Sequence, residues 1–388
     1  MPFAQRTQTL KPEGAYHVLA RAQHLEAQGR EIIHLEIGQP DFDTFEPIRA
    51  AGIAAIDDGH TRYNPPAGIP ELRAAIAEDA GRRRGLEFSA EQVVVSPGAK
   101  PNLFFPVLAL VEPGDEVIYP DPGFPTYAAM IRVAGGNPVP VPLDEQRGFS
   151  FDMQAFKDLV NERTRLIILN SPGNPTGGVM KRTDLEQVAA AAHKHDSWII
   201  SDEIYSRLHY LDGDLPTILA LPGMESRTIL VDGFSKTYAM TGWRLGYGIM
   251  PVDLAERVAL LLTHSIGCTA HFTQYAGLNA ITGSQEEVEA MVAVYRSRRD
   301  LLVEGLNAIH GVSCAEPQGA FYAFPNVSSF GLSSSTLADR ILEEAGVALL
   351  SGTSFGKNGE GYLRISYANS MANIERAINQ LAEFFSAI

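Results

Sequence analysis

Lys236 lies in the run Ser235-Lys-Thr-Tyr-Ala-Met-Thr-Gly-Trp-Arg-Leu-Gly-Tyr-Gly248, with the hydroxyl of Ser235 beside it and the guanidinium of Arg244 eight residues on. An amine attacks a carbonyl only when unprotonated, so a lysine that forms an imine must sit where its charge is disfavoured. A phosphate is held by neutral donors and a fixed cationic fork, which Arg supplies better than Lys. Together the three groups suit a pocket that takes an aldehyde cofactor as an imine and grips its phosphate. A lone Ser-Lys pair reads far more often as a turn with a solvated lysine, so the decision rests on the remaining segments.

Five other segments carry candidate chemistry. Ser96-Pro-Gly-Ala-Lys-Pro-Asn102 is a glycine turn feeding a helix start, where backbone N–H groups and the helix dipole favour an anion. Pro120-Asp-Pro-Gly-Phe-Pro-Thr-Tyr127 fixes Phe124 on a stiff backbone, fit to stack on a planar ring or to fill a core. Asn170-Ser-Pro-Gly-Asn-Pro-Thr-Gly177 presents the Asn174 amide from a turn restricted by two prolines. Asp202-Glu-Ile-Tyr205 ends an apolar run with a carboxylate, which is costly to bury unless partnered. A protonated pyridine nitrogen would be such a partner, with Tyr205 in reach of the same ring's oxygen; a helix-capping Asp is the plain alternative. Late in the chain, Arg364 lies in the apolar run Gly361-Tyr-Leu-Arg-Ile-Ser-Tyr-Ala368, where it could clamp a carboxylate or make a structural ion pair.

The elements that must position these groups alternate. Strands are predicted at Val93–Val95, Val117–Tyr119, Val139–Val141, Leu166–Leu169, Trp198–Ser201, Thr228–Val231 and Leu245–Met250. Several are continuous apolar runs, as expected of strands covered on both faces. Thr183-Asp-Leu-Glu186 reads as a capping box, opening a helix with a Leu185, Val188, Ala189, Ala192 stripe that ends near His195. Strand–helix–strand units of this kind give a parallel sheet with right-handed crossovers, and ligands bind beyond its carboxyl ends. From about residue 286 the pattern becomes α+β: a long helix over Glu286–Ile309, short strands at Ala320–Phe324, Val347–Leu350 and Tyr362–Ser366, and helices at Thr336–Ala345 and Ala372–Ser386.

The bulk numbers bound the class. A chain of 388 residues exceeds one core and implies about two domains. A net charge of −15 argues against non-specific binding to nucleic acid or anionic membrane, so an anionic ligand needs a locally positive site. Two cysteines, Cys268 and Cys314, make no disulfide framework and fit a reducing compartment, taken as the cytoplasm. The N-terminal Met-Pro-Phe-Ala-Gln-Arg lacks a signal-peptide core, and the longest apolar run, Leu103 to Val111, is far short of a membrane span. No GxxxxGK[ST] loop supports an NTPase. His264, His271, His193 and His195 do not form a metal set, and no metal is expected.

Taken in order, these segments resemble the fold-type I, pyridoxal-phosphate-dependent class I/II aminotransferases of the aspartate aminotransferase type, from Gly38-Gln-Pro-Asp-Phe to Arg364. The Asn-Ser-Pro-x-Asn-Pro-Thr-Gly, Ser-Asp-Glu-Ile-Tyr and Ser-Lys-x-x-x-Met-x-Gly-Trp-Arg-x-Gly-Tyr patterns are specific in combination. The resemblance implies a three-layer α/β/α large domain with a mostly parallel, seven-stranded sheet over residues 46–285. A smaller α+β domain would be built from residues 1–45 and 286–388. It implies that Lys236 carries pyridoxal 5′-phosphate as a Schiff base and shuttles a proton, and that Asp202 keeps the pyridine nitrogen protonated. Tyr205 and Asn174 would bind the ring oxygen, and Phe124 would stack on the ring. Gly98, Ala99, Lys100, Ser235 and Arg244 would hold the phosphate, and Tyr63 would reach the phosphate of a partner subunit in a homodimer. Arg364 would clamp the substrate's α-carboxylate, with Asn174 and Gly38 nearby.

Within that resemblance the reaction is amino-group transfer between an amino acid and a 2-oxo acid by a ping-pong route. Lys100 points to an acidic substrate, aspartate or glutamate. The segment Thr263-His-Ser-Ile-Gly-Cys-Thr-Ala-His-Phe-Thr273 departs from the Ser-Pro-containing run of such relatives, and Tyr16 is bulkier than their usual residue, which weakens the aspartate reading. Elimination, cyclisation or condensation on the same scaffold stays open at this stage. A cofactor-bearing regulator is disfavoured, because no basic DNA-binding extension is present.

Overall fold

The computed structural model describes residues 3–8, 10, 12 and 14–388; Met1 and Pro2 of the N-terminal reading lie outside them. After a short strand β1 (Ile33–His34), eight strands build the main sheet: β2 (Val93–Ser96), β3 (Glu116–Asp121), β4 (Asn137–Asp144), β5 (Ser150–Phe151), β6 (Thr164–Asn170), β7 (Trp198–Asp202), β8 (Thr228–Gly233) and β9 (Gly246–Ile249). Their order is β2-β9-β8-β7-β6-β3-β4-β5. The β4–β3–β6–β7–β8 block is parallel, whereas β9 runs antiparallel to both β8 and β2. Every predicted strand is present. The predicted count of seven is exceeded by the two-residue β5, which adds antiparallel to the edge strand β4. Ser150-Phe151 is too short to show a periodicity, so nothing in the sequence marked it.

The burial of this sheet follows from its composition. Ile167, Ile168, Ile199, Ile200, Ile229, Leu230 and Val231 are 0% exposed, covered by helices on both faces. Each such side chain contributes about 1.5–3 kcal/mol of apolar burial. The central strands are thereby held rigidly enough to position the segments beyond their carboxyl ends.

One predicted start signal fails. The helix runs Arg182–Lys194 from an N-cap at Lys181 that makes no side-chain cap bond, so Thr183 is already helical. Asp184 turns inward instead and accepts from Ser150 Oγ (2.6 Å) and from Arg147. The predicted stripe holds, with Leu185, Val188, Ala189 and Ala192 buried, and His195 is the C-cap.

The chain's last hundred residues and its first strand share a second core. Four further short strands, β10 (Tyr322–Ala323), β11 (Val347–Ala348), β12 (Leu350–Ser351) and β13 (Leu363–Ser366), pair as β1–β11 and β10-β13-β12. Ile33 and Leu35 pack with Tyr295, Leu302, Phe321, Ile365, Tyr367 and Leu381. The long helix Glu286–Asn307 crosses this cluster. The segment after β1 is thereby carried to the mouth of the main sheet.

Candidate active site

The carboxyl ends of β3, β6, β7 and β8 open on a cleft of about 1060 Å³. Gly38, Ala99, Lys100, Phe124, Asn174, Asp202, Tyr205, Ser235, Lys236, Arg244, Arg364 and, at its outer edge, Tyr16 all line it. Eight separate stretches of sequence therefore meet in one place.

Lys236 comes from the single helical turn Phe234–Thr237 that succeeds β8. Its Nζ donates to the Gly38 carbonyl. Burial, then the charges of Arg364, Arg244 and Lys100, lower its pKa to about 8. Loss of hydration and three neighbouring cations both disfavour the ammonium form, which meets the condition set by nucleophilic amine chemistry.

Asp202 ends β7 and is 4% exposed. Successive strand residues point to opposite faces. Asp202 faces the cleft, and Glu203 turns to the other side, where Arg84 binds it at 2.6 Å. Asp202 Oδ2 accepts from Tyr127 Oη at 2.7 Å, and Oδ1 accepts from the Ile204 N–H at 3.3 Å. Burial raises its pKa to about 6, with the Tyr127 hydrogen bond acting in the opposite sense.

The turn after β2 is braced from below. Asn102 Nδ2 donates to Ser96 Oγ (2.7 Å), and Ser96 Oγ donates to the Gly98 carbonyl (2.7 Å). Gly98 takes φ +79°, and a Cβ there would stand 2.2 Å from Arg244 Nη2. A Cβ on Gly246 would stand 2.4 Å from the Ala99 nitrogen. The two glycines let the turn, strand β9 and the Arg244 guanidinium close into one cradle. Arg244 itself holds φ +53°, a left-handed conformation that is uncommon for a residue with a Cβ and tends to mark functional sites.

Opposite the cradle, Arg364 on β13 is 3% exposed. It donates to the Glu36 carbonyl, approaches Asn174 Oδ1 at 3.5 Å and packs over the rings of Tyr322 and Phe355. Tyr205 Oη is paired with Tyr322 Oη at 2.8 Å. Phe124 stands edge-on to Tyr127, and Lys100 Nζ lies 5.1 Å from the Phe124 ring centre.

Two predicted residues fall outside the cleft lining. Gly98 supports it from behind Arg244. Tyr63 is 96% exposed and reaches no site within its own chain. Two residues that sequence reasoning left unassigned belong to the site: Tyr127, the donor to Asp202, and Tyr322, the partner of Tyr205. Tyr127 follows Phe124 closely, in the first turn of the helix Thr126–Ala134 that the Phe124 turn leads into, a proximity that could have flagged it. Tyr322 carries no local signal, because long-range backbone contacts such as the Ala320 N–H to Leu208 carbonyl bond (2.7 Å) bring its segment beside Tyr205. Among the described residues no group of three or more His, Cys, Asp or Glu side chains could hold a metal. His271 instead meets the His60 ring edge-on and lies tilted against the Tyr275 ring, and His193 Nε2 meets the Pro222 carbonyl.

A flat, phosphorylated aldehyde fits these groups. The depressed amine offers the covalent link, the buried carboxylate offers a partner for a ring cation, and the glycine-lined cradle with Arg244 offers a phosphate seat. The comparisons with known proteins agree. Residues 30–381 match the family "Aminotransferase class I and II". The chain belongs to the class I and II aminotransferases. It is 39% identical to an aspartate aminotransferase of Pyrococcus horikoshii, with 98% of this chain and 96% of the relative covered. It is 37% identical to aromatic-amino-acid aminotransferase 2 of Thermococcus litoralis, over 98% and 97%. The fold superposes on Thermus thermophilus aspartate aminotransferase with maleate at a TM-score of 0.94 and 38% identity, covering 99% of each chain. This aminotransferase is therefore an enzyme of fold type I that depends on pyridoxal 5′-phosphate. The relatives' names favour amino-group transfer over elimination, cyclisation or condensation. No helix among the described residues is long and apolar enough to cross a membrane.

Proposed function

We propose that the enzyme moves an amino group from an acidic amino acid, aspartate or glutamate, to a 2-oxo acid by a ping-pong mechanism. The observation that carries the reading is the crowding of Arg244, Arg364 and Lys100 around the buried amine of Lys236. Lys100 lines the same cleft as Arg244 and Arg364, where its ammonium can meet a second substrate carboxylate while the two arginines take a phosphate and an α-carboxylate. The maleate named with the Thermus thermophilus structure is likewise a dicarboxylate.

The geometry supports these roles. Lys236 would hold the cofactor, Ser235, Arg244 and the N–H groups of Ala99 and Lys100 would hold its phosphate, and Phe124 would cover the ring. Asp202 would serve the pyridine nitrogen, and Tyr205 and Asn174 the ring oxygen. When bound, the cofactor supplies an electron sink for the bond being broken at the substrate's Cα. Arg364 receives the α-carboxylate as a two-pronged fork between Asn174 and Gly38. Once the substrate's amine has taken its place on the cofactor, the freed Lys236 Nζ would accept the Cα proton. Tyr16 stands at the outer edge, where it can shield the cleft from water.

The same reading divides the chain into a large domain, 46–285, and a small one, 1–45 with 286–388. The shared core of Ile33 and Leu35 with residues beyond 290 supports this division. It also calls for a homodimer. Tyr63 is too exposed to act on its own site, and the helix Glu46–Asp57 leaves Ile53 and Ile56 exposed at 61% and 48%. The unpaired thiols of Cys268 and Cys314 suit the cytoplasm.

A panel of amino acids added to the yellow enzyme, with product analysis, tests the reading. Aspartate and glutamate should change the spectrum and release their 2-oxo acids. A spectrum unmoved by both while another amino acid bleaches it would contradict the substrate class, and a product that keeps its nitrogen would contradict the reaction.

A further inference from the structure

We infer that Tyr127 is a positioning residue that keeps the Asp202 side chain ionised, and so keeps the proton of the Asp202–pyridine pair on the ring nitrogen. The inference rests on the proposed placement of Asp202 against that nitrogen.

The geometry is specific. Tyr127 is 0% exposed and its hydroxyl reaches Asp202 Oδ2 at 2.7 Å. The ring is locked by the edge-on contact with Phe124, 5.7 Å between centres at 84°. Its helix, Thr126–Ala134, starts directly after the stiff Pro120–Pro125 turn. The hydroxyl therefore has a fixed aim. Asp202 Oδ1 receives only the long 3.3 Å bond from the Ile204 N–H, leaving Tyr127 as the principal donor to the carboxylate among the described residues.

The direction of the effect is set by donor chemistry. A phenol donates to a carboxylate far better than to a carboxylic acid, so the bond favours the ionised form. Burial works against it, pushing Asp202 up to about 6, and the charges of Asp232 and Glu203 push the same way. Tyr127 does not take over the charge, because burial and Asp202 hold its own pKa well above the ordinary value. In a carboxylate–pyridinium pair the proton sits on whichever group is the stronger base. Removing the phenol makes the carboxylate more basic and draws the proton off the ring, which weakens the electron sink. A hydrogen bond to a charged group is worth about 1.5–3 kcal/mol, equivalent to a roughly 10- to 150-fold change in that proton's distribution.

The test is the ¹⁵N resonance of pyridoxal phosphate labelled at the ring nitrogen, bound to the intact enzyme and to Tyr127→Phe. The wild type should show a protonated nitrogen. The variant should show a shift towards the neutral position, with kcat falling about 10-fold or more and KM for the amino acid little changed. Tyr127→Phe keeps the ring and its contact with Phe124, so melting temperature and cofactor content check that folding is intact. Site-specific 3-fluorotyrosine at position 127, a stronger donor, should hold the proton on the ring at least as well as tyrosine. A protonated wild type with an unchanged resonance in Tyr127→Phe overturns the inference. A neutral nitrogen already in the wild type overturns the placement of Asp202 instead.

Discussion

Asp202 is the residue on which burial and chemistry pull hardest against each other. Its pKa is raised to about 6, mainly by burial. A carboxyl whose folded pKa lies above its unfolded value contributes stability that is full below about pH 4 and lost as pH rises through about 6. Cofactor-free Asp202→Asn should therefore melt higher than cofactor-free wild type at pH 8, and the gap should close towards pH 4–5. Calorimetry across that range checks it, and a gap that widens at low pH would refute it. In the loaded enzyme the ranking in function reverses, because an amide cannot hold a ring cation. His34 shows the opposite sign. Hydrogen bonds that its ring donates to Glu36, and then to Glu26, raise its pKa to about 9 against the cost of burial. Its contribution is present below about pH 6.5 and lost as pH rises through about 9. His34→Gln should cost on the order of 1 kcal/mol at pH 6, discounted for solvent screening, and almost nothing at pH 10. Chemical denaturation at the two pH values decides it. At this scale the sequence was informative wherever a residue's own neighbours constrain it. Lys236 with Arg244, Asp202 after an apolar run, and Asn174 between prolines could all be read. Tyr322 and the orientation of Tyr127 could not, since both depend on contacts made by distant parts of the chain.

Among the elements, the turn after β2 and strand β9 form the tightest joint. Gly246 on β9 lies against the backbone of Gly98 and Ala99, with 2.4 Å to the Ala99 nitrogen from where a Cβ would be. Backbone atoms on both sides leave nothing able to rotate away. Gly246→Ala should destabilise the fold by about 1–3 kcal/mol and weaken cofactor binding at the same time. Thermal melts and cofactor titration measure the two effects, and a loss of stability with unchanged cofactor affinity would detach this joint from the phosphate seat. The strands themselves were legible because each is an unbroken apolar run. What escaped was short or overruled: β5 is two residues long, and the Thr183 capping pattern lost to the burial of Asp184 beside Ser150 and Arg147.

For the whole molecule, the exposed Tyr63 makes a claim about assembly. A residue 96% exposed in one chain has no effect on that chain's own cofactor unless a partner brings a site to it. Tyr63→Ala should loosen the cofactor, and mixing it with Lys236→Ala should restore activity. A hybrid of the two would carry one site with both defects and one intact. Activity of the mixture that never exceeds the average of the separate variants would rule out shared sites. The acidic total charge of −15 gave no hint of the cation-rich cleft, because net charge does not record where charges gather. The departures at Tyr16 and in the 263–273 segment bear on side-chain choice, which depends on the shape of an assembled pocket rather than on spacing along the chain.

The claim beneath all of this is that one buried amine carries the cofactor. Borohydride reduction of the yellow protein, with subsequent peptide mapping, tests it most directly. Reduction should fix pyridoxyl phosphate to the peptide containing Lys236 and to no other, with Lys236→Ala left unlabelled. Label on any other lysine, or a protein that binds no cofactor at all, would contradict the account.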